Sequence, residues 1–465
     1  FWLKAARASQ GMGRVPCRRM MKFVSALVVA ILEPASVAAA SFNVRAFGAV
    51  GDGSTDDTKA FEAAINEVRK AGGGTLLVPA VGAGPNSSEP EILSDYLIRP
   101  LNLTSSMELY IQGRAKITAV ADADKWPVIP GAPSYGQGRN HGAHSPRYTS
   151  LLHGEHISNI KIRGDGNSSV IDGKGAYWWK SFGNLTITRG HLIELMYSKE
   201  IEIFDISMVN SPFWTNHIFD CDNVHVHGVS ISAPNDSPNT DGWDPDSSRN
   251  VLIENSWYSG GDDCVSVKSG WDCFGIDYGK PSVNITIRNL SCHGRFAGIA
   301  IGSEVSGGVE NVTVSNVRFS EANGPAHIKT GQSRGGYITN VHFKDLVVEG
   351  PVLNGILVDA FYGQENPSCP AGWKPPSVAL MSNYSFVNID GRKAPVSRNT
   401  YHFKGLTDSP IEGVYLENVH FASGKWQPDW DCAAVTGLAK EGSVEPGPPC
   451  KGIGTSPAAL ELVIV

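Results

Sequence analysis

A short strand pattern, N-[VI]-x-[VIF], recurs along most of this chain and leaves few folds open to it. It stands as Asn159-Ile160-Lys161-Ile162, Asn223-Val224-His225-Val226, Asn284-Ile285-Thr286-Ile287, Asn311-Val312-Thr313-Val314 and Asn340-Val341-His342-Phe343. Looser copies are Glu200-Ile201-Glu202-Ile203, Asn250-Val251-Leu252-Ile253 and Gly413-Val414-Tyr415-Leu416. From Glu200 to Asn340 the copies begin at 200, 223, 250, 284, 311 and 340, so they lie 23, 27, 34, 27 and 29 residues apart. Alternation at period two marks each copy as a half-buried strand. Units this short, with no helical pattern between them, bury a continuous core only by stacking. They read as stacked coils of an all-β fold, a parallel β-helix. A β-propeller is the alternative, but its blades need about 40 residues each. An asparagine heading the strand suits a bend, where its side chain can hydrogen-bond the turn backbone.

A solenoid needs a cap, and Asp56 to Ala71 supplies an N-terminal capping helix. Thr55 or Asp56 is the expected N-cap, Phe61, Ala64, Ile65 and Val68 form an apolar stripe, and Gly72-Gly73-Gly74 ends it. The expected organisation is an upstream segment and secretory signal over 1–40, a β-helix over 41–430, and an irregular tail over 431–465. The signal is read from Arg18 to Lys22, the apolar run Phe23 to Leu32 and the small residues Ser36 to Ala40. That run is too short to span a bilayer. Seven cysteines follow it, so at least one thiol stays unpaired within the chain, and Cys432 with Cys450 could staple the tail. Nine Asn-X-Ser/Thr sequons point to a glycosylated, exported protein: Asn86, Asn102, Asn167, Asn184, Asn235, Asn284, Asn289, Asn311 and Asn383. The net charge of −7 gives no basic face for nucleic acid.

Chemistry concentrates in two neighbouring coils, as Asn239-Thr240-Asp241-Gly242-Trp243-Asp244 and Gly260-Gly261-Asp262-Asp263-Cys264. Asp241 lies 18 residues past its strand marker, and Asp262 and Asp263 lie 12 and 13 past theirs. Coils sit about 4.8 Å apart, so three carboxylates can share one face. Lys329 lies 18 residues past Asn311, the same offset as Asp241, with Lys268, His293, Arg295 and Arg334 nearby in sequence. Carboxylates beside cations suit a glycosidase working on an acidic sugar. One acid, kept protonated by crowding, donates to the leaving oxygen, and another activates water.

The ordered motifs NTDGWD, GGDDC, GIAIGSE and HIKTG resemble glycoside hydrolase family 28, the polygalacturonases. The opening FNVRAFGAVGDGSTDDTKAF, with IDGKGAYWW and NSPFWTNH, is similar to its plant-type branch. The resemblance covers about Phe42 to Phe421 and implies a single-stranded, right-handed parallel β-helix, a pectin-lyase-like solenoid, that hydrolyses α-1,4-galacturonan with inversion, without metal or cofactor. It implies Asp262 as general acid, Asp241 and Asp263 as the water-activating pair, and Lys329 as the lysine that holds the substrate carboxylate. Asn239 and Tyr362 fall among the implied substrate-binding residues, and Cys264 with Cys292 matches a disulfide beside the site. Two positions depart from the family pattern. Ala297 stands where the family has histidine, which makes His293 a substitute candidate. His327 stands where it has arginine, which exchanges a fixed cation for one titrating at about pH 6.5.

Rival readings are a calcium-dependent pectate lyase, a hydrolase of rhamnogalacturonan or xylogalacturonan, and a catalytically weak cell-wall binding protein. Trp243 is a candidate for lining the cleft, whereas Trp178, Trp179 and Trp214 are expected to pack. The expected partner is a pectic polysaccharide, with no nucleic acid and no membrane once the signal is gone. A secreted monomer in the extracellular space or cell wall is expected.

Overall fold

The computed structural model describes residues 40–81, 92–138, 145–363 and 365–457. The expected signal, but for Ala40, and the sequon at Asn86 lie outside them. Apart from the antiparallel pair Val128–Ile129 and Arg147–Tyr148, the described strands stack in parallel, coil on coil, in a nineteen-stranded and an eleven-stranded sheet joined by bends. The fold is a right-handed parallel β-helix.

The repeat aligns in register. Ile160, Ile201, Val224, Val251, Ile285, Val312, Val341, Tyr384 and Val414 are successive partners on the large sheet, and all are buried. Across the core, Trp243, Val265, Ile299, Ala326, Ile356, Tyr401 and Trp430 form the facing ladder of the small sheet.

The asparagines heading the strands sit at bends with left-handed backbone: φ is 59° at Asn284, 57° at Asn311 and 56° at Asn340. Asparagine enters this region more readily than most side chains. Their side chains bond one another along the axis instead of capping their own turns. Asn311 Nδ2 donates to Asn284 Oδ1 (3.3 Å), and Asn340 Nδ2 donates to Asn311 Oδ1 (3.1 Å). Asn311→Ala is expected to cost about 1–3 kcal/mol, through the strained φ and two lost hydrogen bonds. Asn311→Gly restores the φ term alone. Urea midpoints check this, and equal losses in the two variants would contradict it.

The capping helix spans Thr58–Lys70 and buries Phe61, Ala64, Ile65 and Val68. Its N-cap position falls to Asp57, not Thr55 or Asp56. The Asp57 carboxylate accepts the amides of Val50 (2.6 Å) and Gly51 (3.0 Å), while Asp56 Oδ1 takes the Thr58 amide at 3.1 Å.

The expectation of an irregular tail is corrected. Trp430–Ala433 extends the small sheet, and Val435–Lys440 and Ile453–Ser456 extend the large one. Gly- and Pro-rich loops interrupt the pattern there, yet Trp430, Val435, Ala439 and Ile453 are buried over the last coil. Cys432 and Cys450 are bridged. Among the described residues no helix is long and apolar enough to cross a membrane.

Candidate active site

Side chains alternate along each small-sheet strand, so every second one leaves the core and faces outward. The cleft lies on this outer face, lined by Trp214, Asn239, Asp241, Asp262, Asp263, Lys268, Ser303, Glu304, Lys329 and Tyr362. Asp241 precedes the strand Trp243–Asp246, and Asp262 and Asp263 precede Val265–Val267. Lys329 ends Ala326–Lys329, and Tyr362 follows Ile356–Asp359.

Local chemistry fixes the two acidic loops against each other. A Cβ at Gly261 would stand 1.9 Å from the Ser237 carbonyl oxygen, so only glycine admits the neighbouring coil there. The buried Tyr258 hydroxyl lies 3.0 Å from the Thr240 carbonyl and 2.9 Å from that of Asp262, tying the loops together. The disulfide Cys264–Cys292 secures the next residue.

Oxygens of Asp241, Asp262 and Asp263 lie within 4.8 Å of one another. Lys329 Nζ donates to Asp263 Oδ2 at 2.7 Å and lies 5.1 Å from the centre of the Tyr362 ring. Asn239 Nδ2 reaches Asp262 Oδ2 at 3.4 Å, and Arg189 Nη2 holds the Asn239 Oδ1 at 2.8 Å. Asp241 and Asp263 are buried, whereas Asp262 is partly exposed.

Burial, then the neighbouring Asp262 and Asp244 carboxylates, push Asp241 well above the usual carboxylate range. Burial lifts Asp263 to about 6, against the pull of Lys329. The proton retained in such a cluster belongs to the group of acids rather than to one of them. The triplet's spacing could also take a divalent cation, with Lys329 already seated on one member.

Asp244 is a part of the site that the sequence reading left without a role. It is buried, and its Oδ1 lies 3.5 Å from Lys268 Nζ, which also approaches Glu304 Oε2 (3.5 Å) and the Trp214 ring (4.4 Å). Burial raises Asp244 from the ordinary aspartate value of 3.8 to about 7. Between those values the folded protein keeps a proton that the unfolded chain has released. Stability from this group therefore falls as pH rises from about 4 to about 7. Asp244→Asn has no such proton to lose, so its stability relative to wild type should grow across that interval. Thermal unfolding at pH about 4 and about 7.5 checks it, and a difference independent of pH would count against it. The signal for Asp244 was present in NTDGWD, at the outward position beside Trp243.

Other expectations are redrawn. His327 is no titrating cation: it is 1% exposed, and neither ring nitrogen has a hydrogen-bond partner among the described residues. Burial, aided by Lys329, holds it well below the usual histidine range, so the ring is neutral. It packs beneath Tyr362, edge to face at 5.8 Å. His293 is turned toward Trp257 (5.3 Å between ring centres) and Ser291 Oγ (2.9 Å), and the structure does not bring it to the carboxylates. Ala297 is buried in the main core. Trp243 belongs to the main core rather than the cleft, while Trp214 packs as expected in a second apolar cluster and also borders the cleft. Arg334 is bound to Asp272 at 2.6 Å, away from the acids.

Fold and site together define a β-helical glycosidase. Residues 94–444 match glycosyl hydrolases family 28, and the chain belongs to that family. A probable polygalacturonase of Vitis vinifera is 36% identical over 403 residues, covering 84% of this chain and 77% of the relative. A polygalacturonase of Chamaecyparis obtusa is 28% identical, covering 83% and 68%. Among solved structures, an exopolygalacturonase from Thermotoga maritima superposes with a TM-score of 0.66 at 23% identity, covering 90% of this chain and 92% of that one. A polygalacturonase from Erwinia carotovora gives 0.63 at 23% identity, covering 86% and 96%.

Proposed function

We infer that this protein hydrolyses α-1,4-galacturonosyl linkages of polygalacturonan. The observation that carries the reading is the triplet Asp241, Asp262 and Asp263 on adjoining coils, beside a buried lysine in an open cleft. Asp262, the partly exposed member, gives its proton to the glycosidic oxygen as the bond to C1 breaks. Asp241 and Asp263 hold a water between them and take its proton as its oxygen bonds to C1. Lys329 has three donors and uses one on Asp263, which leaves two for a substrate carboxylate. Tyr362 and Asn239 flank the bound sugar.

The triplet is tighter than the roughly 6.5–9.5 Å usual between the two acids of an inverting enzyme. Inversion is supported here by the third carboxylate, since two acids can position one water while the third protonates. The test is reducing-end release from polygalacturonic acid, with proton resonance on the first-formed anomer. A β-anomer from the α-linkage is expected. Unsaturated, ultraviolet-absorbing ends lost on chelation would instead establish a lyase.

The neutral His327 favours a second substrate. A cleft with fewer cations suits a pectin with fewer backbone uronates, such as rhamnogalacturonan, to be assayed alongside xylogalacturonan, whose branches leave the galacturonate backbone intact. Three disulfides fit an oxidising, extracellular location in or near the cell wall, with the protein acting as a monomer.

A further inference from the structure

The outer face of the small sheet is not equally open along the helix axis. The site residues run along that axis, from Trp214 through the acids to Lys329 and Tyr362, so a bound polysaccharide lies across successive coils. On the N-terminal side, the outward positions Met196, Phe219 and Asp246 are all buried. On the C-terminal side, Lys329 pairs in register with Asp359 and then Lys404, both partly exposed, and Lys404 with the exposed Ala433. One direction is roofed and the other is open.

The roof is tied down by specific bonds. Tyr135 Oη donates to the buried Asp246 Oδ2 at 2.6 Å, and the Tyr135 ring packs edgewise on Trp214 (6.4 Å) and Trp271 (6.5 Å). Asn366 Nδ2 donates to the Tyr135 carbonyl at 2.8 Å, and its backbone amide donates to Asp272 Oδ2 at 2.7 Å. The disulfide Cys273–Cys369 joins the two roof segments on either side of Asn366 and Trp271. Lifting this roof would strip partners from a buried carboxylate and expose an apolar cluster, both of which disfavour opening.

We propose that the cleft is a slot closed at its N-terminal end, which admits one terminus of a galacturonan chain and makes the protein an end-acting enzyme. This rests on the pectin-hydrolase reading and adds to it the mode of attack. A chain threaded through the site would have to occupy the volume held by Tyr135, Trp214 and Trp271. A chain end needs only the space between Trp214 and the acids.

The test has two arms on the intact protein. With polygalacturonic acid, early products separated by anion exchange should be a single short sugar, while the viscosity of the solution barely falls. A ladder of oligomers with rapid loss of viscosity overturns the proposal. In the second arm, oligogalacturonides carrying a bulky fluorophore at the reducing or the non-reducing end are titrated into the Asp262→Asn protein. A tag at the inserted end should weaken binding more than tenfold, with the other tag tolerated. Equal binding of both tagged forms overturns closure, even without turnover. No binding of any oligogalacturonide overturns the pectin reading itself, and the proposal with it.

Discussion

Asp262→Asn is expected to lower turnover of polygalacturonic acid by about 10²–10⁴-fold, the usual contribution of a positioned proton donor. The exchange keeps the size of the side chain, and Asn can still accept the Asp263 amide that Asp262 Oδ1 takes at 2.9 Å. Substrate affinity should therefore change little, and the loss should fall on kcat. A galacturonide with a nitrophenolate leaving group separates chemistry from structure, because that group departs without a proton. The variant should recover most of its rate on this substrate. An equal deficit on both substrates would show that Asp262 positions the site rather than protonating the leaving oxygen, and full activity on pectate would remove it from the mechanism.

Arg147→Met should produce the largest loss of stability. Arg147 Nη1 lies 2.7 Å from both oxygens of Glu194, which is fully buried. His217 links the same carboxylate (2.8 Å) to Asp246 (3.3 Å). Burial opposes charge on His217, but Asp246 and Glu194 outweigh it and raise the ring to about 9. Removing the guanidinium leaves a carboxylate in the interior with histidine alone to balance it, a change that costs about 3–5 kcal/mol in buried pairs. The denaturant midpoint should fall accordingly. Replacing Glu194 as well, as Arg147→Met with Glu194→Leu, should restore much of the loss, since two apolar groups leave no charge unpaired. No recovery in the double variant would mean that the arginine acts by packing.

Much of this architecture was legible because a solenoid repeats its reasons. Each coil needs a β-branched residue at the same inward position and a left-handed bend before it, so the pattern of asparagine and valine shows both. The coil at Asn383-Tyr384-Ser385-Phe386 escaped the pattern because Tyr384 takes the inward position normally held by Val or Ile; its hydroxyl finds the Ile338 carbonyl at 3.0 Å. The carboxylates were legible by register, since Asp241, Asp262 and Asp263 meet across one coil step. Burial of single outward residues was not. His327 and Asp244 occupy positions that alternation assigns to solvent, yet His327 packs on Tyr362 from the next coil and Asp244 lies beside Lys268. The pairing of Cys273 with Cys369 is of the same kind, because the loops it joins carry no repeat.

The asparagine bends also change how the sequons should be counted. Asn284, Asn311 and Asn383 head strands whose next outward residue is Thr or Ser, and Asn289 occupies a second bend with Ser291 two residues on. Each gives its side-chain amide to an asparagine one coil away. A chain that needs asparagine at its corners and hydroxyl residues on its outer strand face writes Asn-X-Ser/Thr by geometry, without reference to any glycosylating enzyme. For a β-helix, the sequon number is in part a tally of corners, and among the described residues sugar is to be sought first at Asn102, Asn167, Asn184 and Asn235, which stand outside the ladders.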